Sequence, residues 1–302
     1  MEKDSENSKN ITNKVYIAYR ACPKLSKNAD GIFFQTKFEM FKVALKSFIK
    51  ALEGIDYYIY FILDTCPDEY SEYIKSILSN MRFEIENMEN AGNRKTFLRQ
   101  IEVLSNQNYS DNIYFAEDDY IYSKHSLKKM VDIMDKNQVH FVSPYDHPDY
   151  YKNTTCSNAH RFIHNYKTRI LYEDGMHFRM SSSTTMTFLT TAKILRKTSK
   201  AFRSYLKYHY SWWIFPNDYE IWLSLTHMKN FSTTFKDTVA MYLSLFLQFF
   251  KEKYVLLSPM PGLAYHMCRP CIERYGLEVV SSIIEENTIL PIDLKTEKTD
   301  MA

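Results

Sequence analysis

The chain has 302 residues with 38 basic against 36 acidic ones, a formal net charge of +2. That length holds one large domain or a domain with an appended lobe, and the charge balance excludes a dedicated nucleic-acid binder, which would carry a basic excess. Hydrophobic residues reach 45%, enough for a sizeable core in which most of the 24 Tyr and 20 Phe serve as packing.

Residues 1–13 are polar, read as a disordered tail and lack the apolar core of a signal peptide, so the default location is the cytoplasm. Lys14 to Ala21 reads as a first strand, running into a loop from Cys22 to Gly31. Thr36 to Leu52 places Phe38, Phe41, Ala44, Leu45, Phe48, Ile49 and Leu52 on one helical face, and Gly54 stops it. Tyr57 to Leu63 is an apolar run suited to a strand buried on both faces, ending at Asp64. A helix from about Glu69 to Ser79, a weaker strand from Arg82 to Asn87, the turn Asn90-Ala91-Gly92-Asn93 and a helix from Arg94 to Leu104 follow.

The next stretch, Asn112 to Tyr122, has strand residues Ile113 to Ala116, then Glu117-Asp118-Asp119, and a helical segment from Leu127 to Asp135 beyond. In α/β sheets ligands sit beyond the carboxyl ends of the strands, and two or three carboxylates there can hold a divalent cation, which in turn holds phosphates. The competing reading is an exposed acidic turn at a helix N-terminus, where acids are favourable. Four strand–helix alternations predict a mostly parallel, doubly wound sheet with Arg20, Asp64, Gly92 and Glu117 to Asp119 on one edge.

Beyond, His140 to Ser143 reads as a strand and Pro144 to Asp149 as a loop. Arg161 to Tyr172 and His177 to Thr190 read as antiparallel strands around Glu173-Asp174-Gly175, with Ser181 to Thr185 either lining a sugar or serving as ordinary strand residues. Ala192 to Tyr208 is helical. Trp212 and Trp213 are either packing or a stacking platform for an acceptor. A short helix from Tyr219 to His227 follows Pro216-Asn217-Asp218. Val239 to Phe250 is shorter than the roughly 18 residues that cross a bilayer. It reads as a buried or interface helix, a candidate for peripheral membrane contact or homodimer formation. Tyr254 to Leu257 is a late strand before the loop Ser258 to Gly262, with His266 just past it.

The cysteines, Cys22, Cys66, Cys156, Cys268 and Cys271, are odd in number and widely spread, unlike a secreted disulfide framework. Cys268 and Cys271 have C-x-x-C spacing, but no second pair completes a zinc site and no strand-to-helix setting marks a thioredoxin-like one.

Three motifs in this order resemble metal-dependent glycosyltransferases of the GT-A fold, most nearly the family 2 type. Glu117-Asp118-Asp119 is similar to the family's D-x-D motif. Asn217-Asp218-Tyr219-Glu220-Ile221-Trp222-Leu223 is similar to its E-D-[YW]-[ED]-L-W-L, with Asn217 in place of Glu and Ser224 where Arg is common. Pro261-Gly262-Leu263-Ala264-Tyr265-His266 is similar to a late loop whose His helps bind metal or diphosphate. The resemblance covers most of residues 14–270.

It implies a GT-A-type sheet flanked by helices, with a nucleotide-sugar half over 14–143, an acceptor half over 144–290 and a flexible tail over 291–302. It further implies metal ligands Asp119 and His266, with Mn²⁺ or Mg²⁺ as the cation. Donor contacts fall at Arg20, Asp64, Asn90, Gly92, Asn93, Glu117 and Asp118. Asp218 would be the general base, with Glu220 as its understudy, giving inversion at the anomeric carbon. The donor would be a UDP- or GDP-linked sugar, and the acceptor a hydroxyl on a glycan, a lipid-linked group or a protein. Two other classes stay open, a sugar nucleotidyltransferase and a non-catalytic carbohydrate-binding protein. The single Gly in the loop after the first strand counts against the former, and the retained Asp119 and Asp218 against the latter.

Overall fold

The computed structural model describes residues 14–24, 33–79, 81–108, 110–137, 139–151, 168–207, 218–227, 252–268, 271–272 and 277–289. Cys156, Trp212, Trp213, Asn217, the Val239 to Phe250 segment, both tails and the Glu220 side chain lie outside the described residues.

The first half alternates as expected: β1 (Lys14–Ala21), α1 (Lys37–Ala51), β2 (Asp56–Asp64), α2 (Asp68–Ile77), β3 (Phe83–Met88), α3 (Gly92–Ser105) and β4 (Asn112–Glu117). A three-residue strand, β5 (Tyr120–Tyr122), and α4 (Ser126–Lys136) follow the acids. The second half adds β6 (Phe141–Val142), β7 (Ile170–Glu173), β8 (Met176–Met180), β9 (Phe188–Thr191), α5 (Ala192–Lys207), α6 (Asp218–Thr226), β10 (Leu256–Met260), β11 (Ala264–His266) and a last helix, α7 (Leu277–Ile289).

Among the described residues, nine strands form one sheet in the order β3-β2-β1-β4-β9-β6-β10-β8-β7. β1 pairs in parallel with β2 and β4, and β2 with β3; β9 runs against β4 and β6, β10 runs with β6, and β8 runs against β10 and β7. Seven strands therefore share one direction and only β8 and β9 oppose it. The fold is mixed α/β, a large and mostly parallel sheet flanked by helices.

Strand side chains alternate between faces, and that alternation builds two cores. Val15, Ile17, Tyr19, Ile59, Phe61, Leu63 and Tyr114 pack with Phe41, Leu45 and Phe48 of α1 and with Tyr70 and Met130 of α2 and α4. Ala18, Ile62, Ile113 and Phe115 face the other way, against Phe97 and Ile101 of α3, Phe202 of α5 and Trp222 of α6. Burying a large aromatic such as Trp222, which is fully enclosed, contributes a few kcal/mol and fixes α6 against the sheet. α1 starts with a complete capping box: Glu39 N–H donates to Thr36 Oγ1 at 3.1 Å, and Glu39 Oε2 accepts from Thr36 N–H at 3.2 Å.

Two expectations need correction. The late strand runs from Leu256 to Met260 rather than stopping at Leu257, so Pro259 lies inside it. β6 ends at Val142, leaving Pro259 opposite only Phe178 of β8; there β10 is an edge, where a residue without an N–H is tolerated. The strand expected from His177 to Thr190 is interrupted between β8 and β9. Ser181 Oγ donates to Ser258 Oγ at 2.9 Å, Thr184 Oγ1 shares a 2.6 Å bond with Ser143 Oγ, and the N–H groups of Ser182 and Ser183 donate to Tyr150 Oη. These hydroxyls hold a crossing loop together, and none of Ser181 to Thr185 lines the cleft described below. Among the described residues no helix is long and apolar enough to cross a membrane.

Candidate active site

Parallel strands deliver their carboxyl ends to one edge, so the residues just past β1, β2 and β4 meet there. A cleft of about 450 Å³ opens at this edge, lined by Arg20 to Lys24, Lys37, Asp64, Thr65, Asn90, Gly92, Asn93, Thr96 and the three acids Glu117, Asp118 and Asp119. Every lining residue among the described ones falls in the first half of the chain.

The acids have different partners. Glu117 is the last residue of β4; one oxygen takes the Arg20 guanidinium and the other accepts from Thr187 Oγ1 at 2.7 Å. Arg20 also donates to the Asn93 carbonyl at 2.8 Å and to its side-chain oxygen. Burial opposes the guanidinium charge, but Glu117 beside it outweighs that and raises the Arg20 pKa. Asp118 accepts from Cys22 N–H at 3.0 Å and from Lys37 Nζ at 2.9 Å, with both charged side chains below 10% exposure at 5% and 9%. Burial, partly countered by Lys37, pushes the Asp118 carboxyl upward.

Asp119 differs. Its Oδ2 lies 3.2 Å from His266 Nε2, while Oδ1 is buried and accepts no hydrogen bond among the described residues. Burial alone would raise this carboxyl, but His266, Lys37 and Arg20 together hold it well below the ordinary carboxylate range. A carboxylate that stays ionised with one buried oxygen unsatisfied carries a desolvation penalty of about 1–3 kcal/mol or more, which a bound cation relieves. The donor set thus fits a hard divalent cation at Asp119. His266 reaches Asp119 because β11 pairs antiparallel with β5, setting His266 opposite Tyr120. Its ring stacks on Tyr120 at 4.8 Å and 15°.

Asp64, for which the resemblance implies a nucleoside contact, lines the cleft. Its carboxylate accepts from Ala91 N–H at 2.8 Å and Gly92 N–H at 2.7 Å, closing the N-terminus of α3 onto β2. Thr65 Oγ1 accepts from Asn90 N–H at 2.8 Å. Gly92 has φ +71° with open space where a Cβ would stand, so the requirement for Gly is conformational. Asp64→Ala should leave two amides unpaired and cost about 1–3 kcal/mol in urea denaturation. An unchanged midpoint would show that the loop does not depend on this carboxylate.

Asp218 opens α6 at half-buried exposure. Burial, followed by the nearby charge of Glu117, raises its carboxyl to about 6, and Arg20 works against the rise. Asp218 is therefore electrostatically part of the acid cluster although distant in sequence. Lys37 was not expected here. Its signal was a lysine in the first turn of a helix, where a cation is unfavourable unless an acid faces it. Thr187, anchoring Glu117, carried no signal, because its role depends on where β9 inserts.

No family model matches the chain, and no curated protein does. Among solved structures it is similar to the glycosyltransferase GlyE of Streptococcus pneumoniae TIGR4, with 13% identity and a TM-score of 0.42 over 91% of this chain and 60% of that one. It is also similar to the galactosyltransferase LgtC in complex with donor and acceptor sugar analogues, with 11% identity and a TM-score of 0.45 over 92% and 98%. A third is residues 1–349 of S. aureus TarS, with 10% identity and a TM-score of 0.39 over 80% and 60%. The chain spans 60% of the length of the first.

Proposed function

We propose that the chain transfers a sugar from a nucleotide-diphosphate sugar to an acceptor hydroxyl, with a divalent cation on Asp119 and Asp218 as general base. The observation that carries this reading is Asp119, which lines a cleft at the carboxyl ends of parallel strands and whose buried Oδ1 has no hydrogen-bond partner among the described residues. Mn²⁺ or Mg²⁺ suits such a carboxylate, since both complete their shells with water and substrate phosphates. When bound, the cation would neutralise charge developing on the diphosphate leaving group.

The protein groups divide the remaining work. Lys37 and Arg20 hold Asp118 and Glu117 in place and keep the cleft from accumulating negative charge. Asp64 fixes the Asn90 to Asn93 turn at the mouth of the cleft. His266 orients Asp119 through its second oxygen. Asp218, with its carboxyl near 6, is ionised at neutral pH yet basic enough to accept a hydroxyl proton. A base on the acceptor side serves single displacement, and the transfer proposed is inverting.

The test is a panel of nucleotide sugars with Mn²⁺, read as sugar transfer or hydrolysis, run beside nucleoside triphosphates read as pyrophosphate release. Sugar release that stops in chelator and returns with Mn²⁺ is the expected outcome. Pyrophosphate release without sugar transfer would replace this reading with nucleotidyl transfer.

A further inference from the structure

Among the described residues, the end of β11 and the segment just after it bring together three ligand-type side chains, one of which, His266, also meets the acid cluster at Asp119. His266, Cys268 and Cys271 bring one ligand atom each to within 4.8 Å of one another. Two backbone turns gather them: Cys268 N–H donates to the His266 carbonyl at 2.8 Å, and Cys271 N–H to the Cys268 carbonyl at 2.9 Å. Cys271 is buried and Cys268 half-buried, so neither sulfur is dispersed on the surface.

We propose that His266, Cys268 and Cys271 form a zinc site, separate from the oxygen site at Asp119 and independent of the sugar-transfer reading. Zinc bonds of about 2.3 Å to sulfur and 2.0–2.1 Å to nitrogen set tetrahedral ligand atoms about 3.6–3.8 Å apart. The observed spacing needs to close by only about 1 Å. Two thiolates and a neutral imidazole balance the charge of Zn²⁺, and soft sulfur ligands select it over Mg²⁺ or Mn²⁺.

The histidine is already arranged for this ligation. Its Nε2 is engaged by Asp119 Oδ2 at 3.2 Å, so Nδ1 is the ring atom left for a metal. A carboxylate that accepts the far N–H of a ligating imidazole fixes its tautomer and raises its basicity. Stacking on Tyr120 and an edge contact with Tyr145, centroids 6.2 Å apart, fix the ring plane. Three protein ligands leave one tetrahedral position for water or a further side chain. In this arrangement His266 serves the thiolate-bound metal through Nδ1, and the cation at Asp119 uses Oδ1. The site clamps the segment after β11 beside β5, whose strand starts immediately after Asp119.

The experiment reads zinc directly. Elemental analysis of the purified full chain should find about one zinc per chain. Titration of reduced, stripped protein with Co²⁺ alone should give thiolate-to-cobalt charge-transfer absorption with tetrahedral d–d bands. Cys268→Ser and Cys271→Ser should each lower that absorption and the zinc content, whereas Cys22→Ser with Cys66→Ser should leave both unchanged. Asp119→Asn should keep the thiolate signature while weakening zinc by about 10–100-fold, as loss of an outer-shell partner does. Should a Cys268 or Cys271 variant fail to fold, the wild-type cobalt spectrum decides, because its intensity counts the thiolates. Wild type with neither zinc nor a charge-transfer band after reduction overturns the proposal, as does a band that follows Cys22 and Cys66. Neither result bears on whether Mn²⁺ supports nucleotide-sugar binding.

Discussion

Replacing Asp218 by Asn should leave the fold, metal binding and nucleotide-sugar binding intact while lowering transfer by about two orders of magnitude or more. Trp222 is fully buried, and Ile221 and Leu225 pack in the same cluster, so α6 is held rigidly against the sheet and its first residue has a defined position. Asn keeps the shape and the helix-terminal hydrogen bonding of Asp and removes only the basicity. Because burial and Glu117 place the carboxyl near 6, transfer by the wild type should rise as pH increases through about 6 and then level off. The stability consequence has the opposite sign. A carboxyl raised in the folded state is favoured protonated, so its stabilising contribution is present at low pH and is lost as pH rises from the ordinary carboxylate range through about 6. Asp218→Asn should therefore melt higher than wild type at pH 8, with the gap closing toward pH 4. Glu220→Gln should cost far less activity. If that order is reversed, Glu220 is the base; if neither change slows transfer, the single-displacement mechanism is wrong.

What could be read from the sequence follows from how local each feature is. The parallel half was legible because β1, β2 and β4 are largely apolar runs, the first two followed directly by a helix and β4 by one after the short β5. The meeting of Arg20, Asp64, Gly92 and Glu117 to Asp119 then followed from topology alone. The second half was less legible because its strands are short and pair out of order: β9 inserts between β4 and β6 although it follows them by many residues. That insertion brings Thr187 onto Glu117, a contact no local pattern encodes. Asp64 shows a different limit. The sequence placed it at the strand end, but whether its carboxylate faces a ligand or the amides of Ala91 and Gly92 is set by the turn conformation. The C-x-x-C pair looked incomplete as a zinc motif because its third ligand, His266, precedes it in a strand whose role is to meet Asp119.

Asp119→Ala should abolish Mn²⁺-dependent nucleotide binding, an effect of at least about 100-fold, since even loss of an outer-shell partner costs 10–100-fold. The three neighbouring acids are not equivalent in this respect. Glu117 has its oxygens engaged by Arg20 and Thr187, and Asp118 by Cys22 and Lys37. Removing either would leave a buried cation unpaired, so Glu117→Ala or Asp118→Ala should destabilise the chain by about 3–5 kcal/mol, confounding any loss of binding. Among the described residues, Asp119 has only His266 as a side-chain hydrogen-bond partner, and its Oδ1 has none. Its removal should therefore cost binding far more than folding. The measurement is calorimetric titration of a nucleoside diphosphate with Mn²⁺ and with chelator. Wild type in chelator should fall to the level of Asp119→Ala with Mn²⁺, and adding chelator to the variant should change nothing further. A variant that binds nucleotide as wild type does, or wild type that binds equally well in chelator, would remove the cation from Asp119 and with it the account of how the diphosphate is held.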